Sequence, residues 1–433
     1  MSRSHLLLGA LLAIPPGLQV RQAAPPAAQE KEASHVERFA TPQAKLERTV
    51  REATRALARN PRNTQMLIDR GLARLRLGQT AAGIADLRRA AALHSGSADA
   101  QANLAYGLWT TGNSREALEA ALRAVRADPK HAAAHYYLAR LLVETGGRAD
   151  EALENFQRAS ELNPLETGYR YDLFTAYLQR DDLVHAGAQL RLLRFSLPAD
   201  NPQLLYAQGL YQANVGSLPQ AVTSFRAAVE KNPRLNPARL DLGVALCKLE
   251  KWQEAEPVLG DLGRDLPESY PAAYFHALTL QNLHRVAEAE LEVRRALGLD
   301  PQAPDSNTLL GILLSQKQQF GAAVQALEAA VKAAPGNFDA QFYLGRAQYA
   351  LRNLAAAREA FRAAAGLRPE DLESKFFLAT ALEGLGETGA ALEEYRALTG
   401  SHPQDPRGFV GLGNLLAKNG QLDDAEVALT HAR

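Results

Sequence analysis

The sequence predicts an all-α solenoid, a stack of about eleven helix-turn-helix units, and three recurrences carry that expectation. Pro129, Pro164, Pro198, Pro233, Pro267, Pro301, Pro335, Pro369 and Pro403 follow one another at intervals of 34 or 35 residues, with Pro61 two periods ahead of Pro129. A small residue stands eight positions into each unit: Gly71, Ala105, Ala139, Gly209, Gly243, Ala277, Gly311, Gly345, Ala379 and Gly413. Twelve residues further on comes an alanine: Ala117, Ala186, Ala221, Ala255, Ala289, Ala323, Ala357, Ala391 and Ala425. Near Gly146-Gly147 one inserted residue moves it to Ala152.

Each recurrence has a physical reason. Apolar positions spaced i, i+3, i+4, i+7 fill two stretches of about 12–14 residues per unit, the period of an amphipathic helix. Gly or polar residues between the stretches, as at Gly112-Asn113, Gly216-Ser217 and Gly386-Glu387, mark a turn. Small residues let the two helices approach closely. The proline falls at or just before the next helix start, where its missing N–H costs nothing. One such hairpin cannot bury its own apolar face, so neighbouring units must stack.

In chain order, residues 1–24 read as a secretory signal peptide. Arg3 and His5 precede an apolar run, Leu6 to Ile14, that ends at Pro15-Pro16 and is too short to span a bilayer. Gln22-Ala23-Ala24 is the best small-residue cleavage site, and no cysteine follows to take a bacterial lipid anchor. Residues 25–43, rich in Ala, Pro and Gln, read as a flexible linker. The solenoid is expected over 44–433, opening with a partial unit at 44–63. Full units start near Thr64, Ala98, Ala132, Thr167, Pro202, Asn236, Tyr270, Pro304, Phe338, Leu372 and Pro406. The unit from Thr167 carries Phe174 and Leu193 at usually small positions, which predicts a local change of pitch. Pro257, inside a second helix, predicts a kink or a late helix start. No polar capping helix follows the last unit, so Leu412, Leu416 and Leu429 are expected to be partly exposed and to support end-to-end self-association or docking.

From about Asn63 to the end the pattern resembles the tetratricopeptide repeat (TPR). The resemblance implies a right-handed superhelix whose first helices line a concave groove that binds a protein or peptide. Groove positions implied in this way are Tyr106, Trp109, Tyr136, Tyr137, Tyr171, Tyr206, Tyr274, Phe275, Phe342, Tyr343, Phe376 and Phe377. Arg140 and Arg346, at the ninth position of their units, are expected to pair with a ligand carboxylate or to stand as solvated surface arginines. Rigid rings suit an extended peptide or an amphipathic helix, but the same rings also pack between units. The family's carboxylate clamp is missing from the leading units, which hold Ile68, Leu72, Ala102, Asn103 and Tyr106 there. The asparagine ladder of repeat-bearing sugar transferases is missing as well: Asp69, Asn103, Tyr137, Asp172, Ala207 and Asp241 occupy it.

Charge and chemistry narrow the function. With 48 basic and 48 acidic residues among 433, no net field attracts nucleic acid. An RNA-binding helical repeat is the alternative, and it would need a basic groove. A cytoplasmic adaptor without the clamp is another. The lone cysteine, Cys247, allows no intrachain disulfide and reads as an apolar filler. His131 and His135 share a helix face at i, i+4 but lack a third ligand. Phosphate loops, nucleophile elbows and His-Glu-x-x-His motifs are absent. The expectation is a non-catalytic, cofactor-free scaffold that binds a protein or peptide, spans no membrane, and works in the periplasm or outside a bacterial cell. Abundant Arg and Ala suit a GC-rich bacterial genome.

Overall fold

In the computed structural model, which describes residues 42–432, most units open where a polar side chain caps a helix. Asn63, Ser97, His131, Glu166, Asn201, Ser269, Asn337, Asp371 and Asp405 each accept a hydrogen bond from a backbone N–H in the following first turn. These bonds satisfy donors that a helix start leaves unpaired. The first helices are Thr64–Arg76, Ala98–Thr110, Ala132–Thr145, Thr167–Gln179, Pro202–Asn214, Asn236–Lys248, Tyr270–Asn282, Pro304–Gln316, Phe338–Ala350, Leu372–Gly384 and Pro406–Lys418. Each is followed by its second helix: Thr80–Leu93, Ser114–Ala127, Ala149–Leu162, Leu183–Ser196, Leu218–Lys231, Trp252–Asp265, Val286–Leu299, Phe320–Ala333, Leu354–Leu367, Thr388–Ser401 and Leu422–His431. One further helix, Pro42–Arg59, packs on the first pair. The described residues contain no strand.

The turn inside every unit places a residue in the left-handed region. Glycine takes that place at Gly78, Gly112, Gly146, Gly216, Gly386 and Gly420. Asp181, Glu250, His284, Gln318 and Arg352 take it in the other five units, with φ between 57° and 65°. A Cβ strains that conformation, so the turn is a requirement of the hairpin rather than a by-product of glycine.

Close approach within a pair follows one rule, residue i against residue i+16. A Cβ placed on Gly209 would meet the Phe225 ring at 2.4 Å, one on Gly311 would meet Leu327 at 2.4 Å, and one on Gly345 would meet Phe361 at 2.6 Å. Glycine here admits a large side chain from the second helix. The unit from Thr167 departs from this: Phe174 stands in the glycine's place while Leu190, sixteen positions on, is also large, and both are buried, as is Leu193.

The described chain forms two compact segments, residues 42–235 and 236–432. Within each, a second helix packs on the first helix of the next unit, and consecutive first helices also touch directly. First helices therefore form the tighter row of each stack.

Three expectations need adjustment. Helix begins at Pro42, inside the stretch expected to be linker; the expected signal peptide lies outside the described residues. The helix Trp252–Asp265 runs through Pro257 and starts in frame with its counterparts, so no late start occurs. Leu416 is buried at 3% exposure against Ala425 and Ala428, because the last second helix covers it. Leu412 is half-buried and Leu429 is 37% exposed.

Candidate functional site

First helices carry their aromatic residues toward the neighbouring unit, and burial sorts them. Tyr106, Tyr136, Tyr274, Phe275 and Phe342 are at most 9% exposed. These five, placed in a groove by the resemblance, are packing residues in this structure, and rings of the next unit contact Tyr106, Tyr136 and Phe342. Trp109, Tyr137, Tyr171, Tyr206, Tyr343, Phe376 and Phe377 are half-buried, and Arg346 is exposed.

In the segment 42–235 the rings form a chain across three units. Tyr106 stands 5.4 Å from Tyr137, Tyr137 5.5 Å from Tyr136, and Tyr136 4.5 Å from Tyr169, between ring centroids. The Trp109 indole N–H donates to Glu144 Oε2 at 2.6 Å, and the Arg140 guanidinium lies 4.9 Å above its ring. Arg140 is not available to a ligand: it donates to Asp172 Oδ2 at 2.6 Å, and the Tyr136 hydroxyl donates to the same oxygen at 2.6 Å. Burial works against the charge of Arg140, yet Asp172 keeps its guanidinium above the ordinary range. Burial and then Asp172 push the Tyr136 phenol well above its usual value. Burial does the same for Tyr137 and Tyr169. This is a buried, internally satisfied network joining two units. Tyr171 and Tyr206 belong to the same segment, beside Phe174 and Phe225 respectively.

In the segment 236–432 the arrangement differs. Phe342, Tyr343 and Phe377 surround the exposed Arg346, whose Cζ lies 5.9, 5.7 and 5.8 Å from their ring centres. Among the described residues Arg346 forms no ion pair, so its charge remains open to an acceptor. Phe376 sits 5.9 Å from the Arg407 guanidinium. Tyr270 and Tyr274 stack nearly parallel at 6.1 Å.

A row that the sequence reading passed over lies at the second position of the first helices: Asp305, Asp339, Glu373 and Arg407. Its signal is the charged residue repeated at the unit period from Asp305 to Arg407.

Other candidate chemistry is accounted for. His131 caps its helix and contacts Asp99 Oδ1 at 2.7 Å, while His135 contacts Asn155 and the Pro129 carbonyl. Among the described residues no three His, Cys, Asp or Glu side chains gather to hold a metal. Cys247 is fully buried, 3.2 Å from Thr279 Oγ1, and burial pushes its thiol up to about 11. A shallow hollow lined by Gly112, Asn113, Ser114, Arg115, Glu116 and Glu119 sits at an inter-helix turn and includes none of the aromatic positions. No described helix is long and apolar enough to cross a membrane.

Repeated helix pairs packed on one another within each segment, with side chains displayed along the first helices, define a helical-repeat scaffold. The tetratricopeptide repeat model matches residues 43–98, 102–164, 206–263, 308–371 and 378–430, most of the chain, and the chain belongs to that family. TPR proteins bind protein or peptide partners and are generally interaction scaffolds rather than catalysts. No curated protein matches the sequence. Solved structures with a similar fold include YrrB, described as a TPR protein with an unusual peptide-binding site, at 22% identity and TM-score 0.38 over 40% of this chain and 90% of that one. Another is the APC/C hetero-tetramer Cut9–Hcn1, at 12% identity and TM-score 0.44 over 86% of this chain and 94% of that one. A third is a TPR protein from Parabacteroides merdae, at 16% identity and TM-score 0.42 over 53% of this chain and 91% of that one. These likenesses concern the fold alone.

Proposed function

We propose that the protein is a scaffold that holds an extended peptide segment of a partner along its row of first helices, on the concave side, within an exported or envelope-associated bacterial assembly. The observation that carries this reading is Arg346: an exposed guanidinium over three ring faces, with no acceptor among the described residues. A cation held beside the half-buried rings of Tyr343 and Phe377 offers a peptide both apolar contact area and a partner for a carboxylate. Export is supported by the sequence alone, through the charged start and the apolar run Leu6 to Ile14.

The test is crosslinking capture of partners by tagged full-length protein in its native organism, in parallel with a variant carrying Arg346→Glu and Tyr343→Ser. Neither residue is fully buried, so the fold should survive, and circular dichroism checks that it does. Loss of a partner from the folded variant supports the row as the binding surface. Equal recovery of every partner removes it. N-terminal sequencing of the mature protein tests export separately, since retention of Met1 in a cytoplasmic fraction contradicts it.

A further inference from the structure

Second helices keep their exposed positions charged or small in most units. Their thirteenth residue is Arg126, Glu161, Glu230, Arg264 or Lys332 in five units and Ala or Gly in others, exposed in each. The helix Leu183–Ser196 departs from this. Its thirteenth residue is Phe195, 91% exposed, and Val184 and Leu192 are exposed at 78% and 43%. At 3.6 residues per turn these three side chains fall within about 80° of one another, on a strip about 16 Å long. Single exposed apolar residues are ordinary on a protein surface, whereas several sharing one helix face mark a contact surface.

Charge is the second, independent observation. Arg191 and Arg194 stand exposed along one edge of the strip, and neither forms a hydrogen bond or ion pair among the described residues. Among the described second helices, Leu183–Ser196 is the one without Asp or Glu. The nearest acid in sequence on each side is engaged elsewhere. Asp182 Oδ2 lies 2.7 Å from His185 Nδ1, and Asp200 Oδ2 accepts from Lys231 Nζ at 3.1 Å. An apolar strip edged by two uncompensated guanidiniums is complementary to a surface that offers apolar side chains and carboxylates together.

We propose that the exposed face of Leu183–Ser196 docks an acidic amphipathic helix of a partner protein. Apolar side chains of that helix cover Val184, Leu192 and Phe195, while its carboxylates pair with Arg191 and Arg194. The second helices of the units before and after carry exposed Glu154, Glu161 and Glu230. An anionic bilayer laid across the strip would meet those acids, whereas one helix laid along it would not. This surface is distinct from the first-helix row and does not depend on it.

Acetylated and amidated peptides of about twenty residues, long enough to hold a helix, are built on an Ala/Gln frame and randomised along one face. They are passed over immobilised full-length protein, and retained peptides are sequenced. The wild type should enrich Asp and Glu together with Leu, Ile and Phe. The Arg191→Gln, Arg194→Gln variant should lose the acidic enrichment, and Phe195→Ser should bind individual retained peptides about tenfold or more weakly. Arg346→Glu, which alters the other open guanidinium, should retain the same peptides. Their loss there and not in the helix variants overturns the proposal and leaves the scaffold reading standing. Retention of no acidic peptide by the wild type overturns it as well. Flotation with phosphatidylglycerol vesicles is run in parallel: binding that Phe195→Ser abolishes would assign the strip to a membrane and refute the helix partner. Phe195→Ser should also keep the parental midpoint of thermal unfolding. A lowered midpoint would mean that the fold uses this ring itself, and the proposal would fail.

Discussion

Leu259 occupies the space that a side chain on Gly243 would need: a Cβ built there lies 2.4 Å from Leu259 Cδ2. Alanine in place of a mid-helix glycine gains about 1 kcal/mol in helix propensity. Here the overlap wins, since Leu259 is fully buried and cannot swing aside. Gly243→Ala should cost about 1–3 kcal/mol net, and Leu259→Ala in the same chain should recover part of it in a double-mutant cycle. Gly243→Leu should wedge the pair apart and divide urea unfolding into two transitions. A single transition at the parental midpoint would contradict the close-packing argument.

The Tyr136–Asp172–Arg140 network should behave as a buried ion pair. Asp172→Ala strands the Arg140 charge and should destabilise the protein by about 3–5 kcal/mol. Tyr136→Phe removes one donor and should cost about 1 kcal/mol. Urea unfolding of the two variants checks the ranking; equal costs would deny Arg140 its dependence on Asp172.

High pH should unfold the protein through its tyrosines. Burial raises the phenols of Tyr270 and Tyr395 from 10.0 to about 12. A phenol raised in the folded state favours folding fully below pH 10, where both states hold the proton. That contribution is lost as pH climbs toward 12, because the unfolded chain ionises first. Each such group steepens the decline by about 1.4 kcal/mol per pH unit within the window. Phenolate absorbance at 295 nm should therefore rise together with loss of helical circular dichroism. Full ionisation with the helical signal intact would refute the burial of these rings.

The five non-glycine turn residues mark inexpensive stabilising changes. Gln318 and Arg352 are exposed with φ of 59° and 65°. Glycine relieves about 1–2 kcal/mol of left-handed strain and returns about 0.5–1 kcal/mol through its greater freedom when unfolded. Gln318→Gly and Arg352→Gly should each raise stability by about 0.5–1 kcal/mol, whereas Gly386→Ala should lower it. Midpoints of thermal unfolding decide the sign.

The repeat architecture was legible in the sequence because it depends on spacing along one chain: a proline between pairs, a small residue eight positions into each unit, an alanine twelve positions further on. The binding surface was less legible because it depends on contacts between units. At the fifth position of a first helix, Tyr136 and Phe342 look no different from Tyr206 and Phe376, yet the first two are closed over by neighbouring rings and the others remain half open. Arg140 and Arg346 hold the same place in their units, but Asp172 stands opposite Arg140 and no acid among the described residues pairs with Arg346.

Two units, those from Ala132 and Thr167, run to 35 residues and place the extra residue differently. In the first the helix reaches Thr145 before the turn at Gly146 and Gly147; in the second the longer piece is the connection from Leu197 to Asn201. In neither does the pairing of flanking helices change. The joints of this array are thus free in length while its contacts are fixed. A reporter sequence or protease site spliced between Gly146 and Gly147 should leave the two helices on either side paired, which makes that joint a natural port for engineering.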